Sequence, residues 1–113
     1  MPMMLGFAAQ RRQLLEAELA RLVEELPPFG VQRLYAAGAF AHGEVQSDTP
    51  LEVVIVHPTD DPFRRRADFF VNHLRPRLQT HFFVYTPEEF DALASDDPFL
   101  SRTIATAAPA YAL

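Results

Sequence analysis

The chain has no cysteine, which excludes disulfides, thiolate catalysis and zinc–thiolate sites. It has no lysine either, since all ten basic residues are arginine, so lysine-based chemistry is excluded too. It lacks a basic excess: the formal net charge is −5, against the positive balance a DNA or general nucleic-acid binder needs. No apolar run approaches membrane-spanning length. No internal repeat or low-complexity tract is present. The opening "MPMMLGFAA" is apolar but short, with no basic segment before it. It reads as the approach to a helix rather than a signal peptide, so the expectation is a soluble, cytoplasmic protein without a membrane partner.

What is there is enough for one core. The 113 residues, 49% of them hydrophobic, predict a single domain spanning 1–113. From Phe7 to Leu26, leucines and a valine recur at helical spacing, and Pro27-Pro28 ends the pattern. "VQRLYAA" (31–37) reads as a strand, and Gly38 to Val45 as a short helix. "LEVVIVH" (51–57) carries four consecutive β-branched residues and predicts a strand buried on both faces. "PTDDP" predicts a turn and a helix start, with Asp60 or Asp61 as cap and Pro62 as first helical residue, leading to a helix over 63–74. "THFFVYT" (80–86) is a further strand. Thr86-Pro87-Glu88-Glu89 is a capping-box start, "SDDPFL" opens a last helix toward Ala107, and "PAYAL" adds a short extended piece. The order α, β, short α, β, α, β, α, α predicts an α/β (α+β) fold, a small mixed sheet of three or four strands with helices packed on it.

The segment that carries chemistry is Gly38-Ala39-Phe40-Ala41-His42-Gly43-Glu44, between a strand and a helix. Glycine there lets an anion approach backbone amides, but strand-to-helix glycines are common and the segment taken alone favours a packing turn. The longer pattern resembles the minimal nucleotidyltransferase family, small bacterial relatives of DNA polymerase beta. That family has Gly-Ser-x-Ala-Arg-Gly-Glu after its first strand, and ten residues after the Gly-Ser pair an Asp-x-Asp on the next strand. A later strand running into Thr-Pro-Glu-Glu, a helix, "npfl" and a final helix is matched by "FFVYTPEEFDALASDDPFL". The resemblance covers nearly the whole chain and implies a nucleotidyltransferase-like fold with nucleotide held at Gly38, Ala39 and Gly43.

Family members are understood to hold two magnesium ions through three carboxylates, which align the attacking hydroxyl and the pyrophosphate leaving group. This chain departs at each place. The phosphate-contacting serine is Ala39; the first carboxylate position holds Pro50, the second Glu52, and the third, on "LQTHFFVYTPEE", His81. A shift of register that makes Ser47-Asp48 the Ser-Asp pair leaves Pro50 in the second acidic place and repairs little. Glu52 and His81 should face each other, as a replacement metal site or, as the small ligand count favours, as an ion pair or hydrogen bond.

Other residues are weighed the same way. His57 and His73 read as surface or boundary residues, and with His42 they form no ligand spacing. Arg64-Arg65-Arg66 touches phosphate or an acidic partner in one reading and is a solvated helix face in the favoured one. Phe69, Phe70, Phe82, Phe83 and Phe90 read as core. Because adjacent residues cannot all point one way, some of Phe70, Phe83 and Tyr85 are expected at an interface.

The favoured expectation is a catalytically degenerate nucleotidyltransferase-like binding or regulatory module that needs no cofactor and holds nucleotide weakly. The resemblance implies an antitoxin-like role beside a HEPN-type helical partner. The alternative is an active magnesium-dependent nucleotidyltransferase using Asp48, Glu52 and Glu44. A third reading is a homo-oligomer with no nucleotide role.

Overall fold

Val53, Val54, Ile55 and Val56 are all fully buried, and a strand with no solvent face needs a layer of helix on each side. In the computed structural model, which describes residues 2–113 and side chains from residue 6 onward, that strand is β2 (Leu51–Val56). It pairs antiparallel with β1 (Arg33–Ala37) and parallel with β3 (Thr80–Tyr85). The terminal β4 (Tyr111–Ala112) pairs antiparallel with β1, giving a four-stranded mixed sheet in the order β3-β2-β1-β4. The chain is an α+β fold with helices packed on this sheet.

One sheet face carries Leu34, Leu51, Val53, Ile55, Phe82 and Val84. It is covered by Leu15, Leu22 and Leu26 from α1 (Pro2–Glu25) and its end, and by Phe70 and Leu74 from α3 (Phe63–Leu74). The opposite face carries Tyr35, Ala37, Val54 and Val56, covered by Phe90 from α4 (Pro87–Leu93) and Leu100 from α5 (Pro98–Thr106). Tyr35 stacks on Phe90 with ring centroids 5.6 Å apart. The four-residue α2 (Gly38–Ala41) turns the chain between β1 and β2.

The boundaries differ from the expected ones in three places. The first helix starts at Pro2 rather than near Phe7, because proline is favourable in a first helical turn and methionine and leucine are good helix formers. Helix α3 is capped at Pro62 itself (ψ 146°) with no side-chain bond, so neither Asp60 nor Asp61 is the cap. The short helix stops at Ala41 rather than Val45, since Gly43 has φ +75° and leaves the helical region. The capping box at Thr86 is present in full, with Glu89 N–H donating to Thr86 Oγ1 and Thr86 N–H to Glu89 Oε1.

Two arginines tie the layers. Arg66 is buried, not part of a solvated face. Its guanidinium donates to the Asp61 and Val84 carbonyls and to both Glu89 oxygens, at 2.6 and 3.1 Å. Arg21 donates to both oxygens of buried Glu18, which also accepts the Arg77 amide at 2.7 Å and so fixes α1 to the loop before β3. Phe70 is 1% exposed and belongs to the core, as its reading as a core aromatic expects, so of the three residues considered for an interface only Phe83 and Tyr85, both half-buried, keep accessible surface to offer one. Burial, then the nearby Asp97 and Glu89 carboxylates, push the Tyr85 hydroxyl above its ordinary range.

Replacing Arg66 with alanine strips the Val84 carbonyl and Glu89 of their partner together. A loss of roughly 2–3 kcal/mol is expected in urea unfolding. Glu18 gives a pH-dependent test. The Arg21 hydrogen bond holds its carboxyl below the usual range, so its stabilisation is present above the unfolded-state value and lost as pH falls through the lower folded one. Urea midpoints for Glu18→Gln should therefore lie below wild type at neutral pH and converge with it in acid.

Candidate functional site

β1 ends at Ala37 and the chain reverses at Gly38, whose φ is +66°. L-residues avoid that conformation, and a second constraint makes glycine necessary. A Cβ added at residue 38 would coincide with the Glu52 carboxylate. The turn is closed by His42 N–H on the Gly38 and Ala39 carbonyls (3.2 Å each) and Glu44 N–H on Ala39 (2.9 Å).

Register fixes the rest. One row across the sheet reads Ala37, Glu52, His81. Alternation puts Pro50 on the same face as Glu52, one step beyond the strand's start. The positions that the resemblance assigns to three carboxylates, 50, 52 and 81, therefore share one face and one end of the sheet. Their side chains form no cage. Pro50 offers no donor atom, Glu52 is half-buried and His81 exposed. The expected ion pair or hydrogen bond between Glu52 and His81 is not formed: Glu52 takes part in none of the ion pairs among the described residues. Its carboxylate folds onto Gly38 instead. Asp48 lies at the exposed tip of a turn in which Thr49 Oγ1 accepts the Gln46 amide and Arg11 donates to the Thr49 carbonyl. Among the described residues no three His, Asp or Glu side chains converge. Magnesium needs several close oxygen ligands, and one carboxylate beside a proline and an imidazole does not fit it.

The cleft at this corner lies between the glycine turn and α5. Its volume is about 340 Å³, and its lining includes Gly38, Ala39, His42, Glu44, Phe99 and Arg102, a size within the range of small-molecule sites. Thus Gly38 and Ala39 come together with Glu44, while Gly43, Asp48, Pro50, Glu52 and His81 are not among the lining side chains. Arg102 and Glu44 face each other across it at 3.8 Å. Phe99 forms a wall, held from behind by Phe83 at 4.9 Å between ring centroids. Thr106 Oγ1 lies 3.2 Å from His42 Nδ1. Phe99 and Arg102 were not legible as site residues, because their helix reads as an ordinary amphipathic one and only its packing against the turn brings them to the glycines.

At the other end of the sheet, His57 sits between Phe69 (6.1 Å) and Phe70 (5.4 Å), with Nδ1 buried and unpartnered. His73 Nδ1 lies 2.8 Å from the Phe69 carbonyl. Among the described residues no helix is long and apolar enough to cross a membrane. Comparison of the chain with protein-family models, with curated proteins and with solved structures gave no match.

Gly38→Ala combines positive-φ strain with displacement of the Glu52 carboxylate. Its cost in chemical denaturation should be roughly 1–3 kcal/mol, and smaller by about 1 kcal/mol in a Glu52→Ala background. Equal costs in the two backgrounds would mean that Glu52 does not fill the corner.

Proposed function

We propose that the chain is a nucleotidyltransferase-like module, of the minimal nucleotidyltransferase type, whose catalytic carboxylates have been replaced. It works by binding rather than by catalysis, as an antitoxin-like regulator of a HEPN-type helical protein in the bacterial cytoplasm. The order of helices and strands, the central β2 with β1 antiparallel and β3 parallel, and the glycine turn after β1 support the reading of fold.

The observation that carries the functional reading is the row at the sheet's end. The places for three oxygen ligands share one face, yet they hold Pro50, Glu52 and His81, and the one remaining carboxylate is folded against Gly38. Two-metal phosphoryl transfer depends on oxygen ligands that fix both ions at the reacting group. A corner with one such side chain lacks that apparatus, while its turn and cleft remain suited to binding.

The test is thermal unfolding with ATP and either magnesium or manganese, because a ligand held by the native state raises Tm. The expected result is no metal-dependent rise, and no labelled AMP transferred to a HEPN-type protein that co-purifies from the native host. A magnesium-dependent rise that disappears in Glu52→Ala or Asp48→Ala would establish the active-enzyme reading instead.

A further inference from the structure

The helices on the second face of the sheet do not cover its full width. Across one row Tyr35, Val54 and Phe83 lie side by side, and across the next Arg33, Val56 and Tyr85. Tyr35, Val54 and Val56 are buried with Phe90 and Leu100. Phe83 and Tyr85, at the β3 end of the same rows, are only half-buried, and His81 is exposed. α4 and α5 therefore roof β1 and β2 and leave the β3 column partly bare. Two further rings extend this column. Phe63 leans on Tyr85 at 5.4 Å between centroids while remaining 49% exposed, and Phe99 stands 4.9 Å from Phe83. A contiguous apolar surface of this kind marks a place where another surface can be buried.

Charge identifies the surface that fits it. Between Arg77 and Arg102 the chain has five carboxylates, Glu88, Glu89, Asp91, Asp96 and Asp97, and no arginine. The other ten of the fifteen carboxylates are matched in number by the ten arginines, so this stretch carries the whole formal charge of −5. It comprises β3, α4 and the start of α5, the elements around the open column. After burial, Asp97 and Glu89 are what acts on the Tyr85 hydroxyl, which places both carboxylates beside the rings. Glu89 is bound by Arg66, whereas the other four form no ion pair among the described residues.

We propose that the β3 column and the carboxylates beside it form a docking surface for a partner protein, through a segment that presents arginine or lysine side chains around an apolar or aromatic one. Attraction to the carboxylates steers such a segment, and burial against Phe63, Phe83 and Tyr85 holds it. Nucleic acid and anionic lipid are repelled by the same charge. A second copy of this chain offers no matching excess, because outside residues 78–101 its arginines and carboxylates balance. The assignment goes beyond the reading of the glycine corner and does not rest on it.

The experiment is selection of a random peptide library, displayed on phage, against the immobilised full chain, followed by fluorescence anisotropy with the enriched peptide. Enriched peptides should carry net positive charge and at least one aromatic or large aliphatic residue, and added salt should weaken their binding. Two variants test the two halves of the surface: Glu88→Gln/Asp91→Asn/Asp96→Asn removes three carboxylates, and Phe63→Ala removes one ring. All four residues are exposed, so the free variants should unfold close to wild type. Each variant should weaken the enriched peptide about fivefold or more, and amide shifts in NMR spectra on peptide binding should centre on Phe83 and Tyr85. No enriched peptide, enrichment without basic residues, unchanged affinity in either variant, or shifts centred elsewhere overturns the proposal. So does self-association of the free chain that Phe63→Ala abolishes, since a second copy is then the occupant. Each of these results leaves the reading of the glycine corner standing.

Discussion

Four consecutive residues of β2, Val53 to Val56, have no accessible surface, and the arrangement of every other element follows from burying both of their faces. Hydrophobic burial stabilises in proportion to apolar area removed from water. A strand apolar on both sides gains this only if two layers close over it. α1 and α3 form one layer, α4 and α5 the other, and β1 and β3 flank the strand so that its backbone groups are paired. Glu52 is the one residue of β2 that keeps partial contact with solvent. The polar end of the central strand thus coincides with the glycine turn, and the candidate site lies where the core stops.

Two helical layers sandwiching a sheet leave its edges to be managed, and β3 is an edge strand. An open edge invites pairing with another chain. Here Arg66 reaches from α3 across that edge, covers the Val84 carbonyl and binds Glu89, whose carboxylate also closes the capping box of α4. One guanidinium therefore joins both layers and masks part of the edge. That arrangement explains why the third of three consecutive arginines is buried while Arg64 and Arg65 stay in solvent.

Local rules made much of this legible in the sequence. β-branched periodicity located β2, proline pairs and capping residues located the ends of α1, α4 and α5, and the glycine after β1 located the turn. The spacing that the resemblance supplies from that turn pointed to residues 50 and 52, its match to the later strand pointed to 81, and the register sets 52 beside 81. Long-range contacts were not legible. Nothing local distinguishes Arg66 from Arg64, and the difference is that only one of them faces Glu89 across 23 residues of chain. Arg102 and Phe99 reach the glycine turn only through the packing of α5. The Glu52–His81 pairing failed for a related reason. Adjacent positions in a parallel ladder bring backbones together, but a side chain goes where space and partners are, and the bare backbone of Gly38 left space on the other side.

That last contact changes what the presence of a carboxylate at position 52 means. A glutamate at an active-site position is usually read as a ligand or a base, yet here its carboxylate fills the volume where a side chain on residue 38 would sit. Gly38 and Glu52 are then mutually dependent by shape alone, whether or not anything binds. Electrostatics point the same way. The carboxylate beside the turn and Glu44 across the cleft both raise the cost of bringing phosphate to Gly38, and among the described residues that line the space Arg102 is the one arginine. A magnesium ion would reverse that balance by adding charge of its own, but the corner lacks the oxygen ligands to keep one. At this corner one guanidinium, Arg102, therefore stands beside two carboxylates, Glu44 and Glu52.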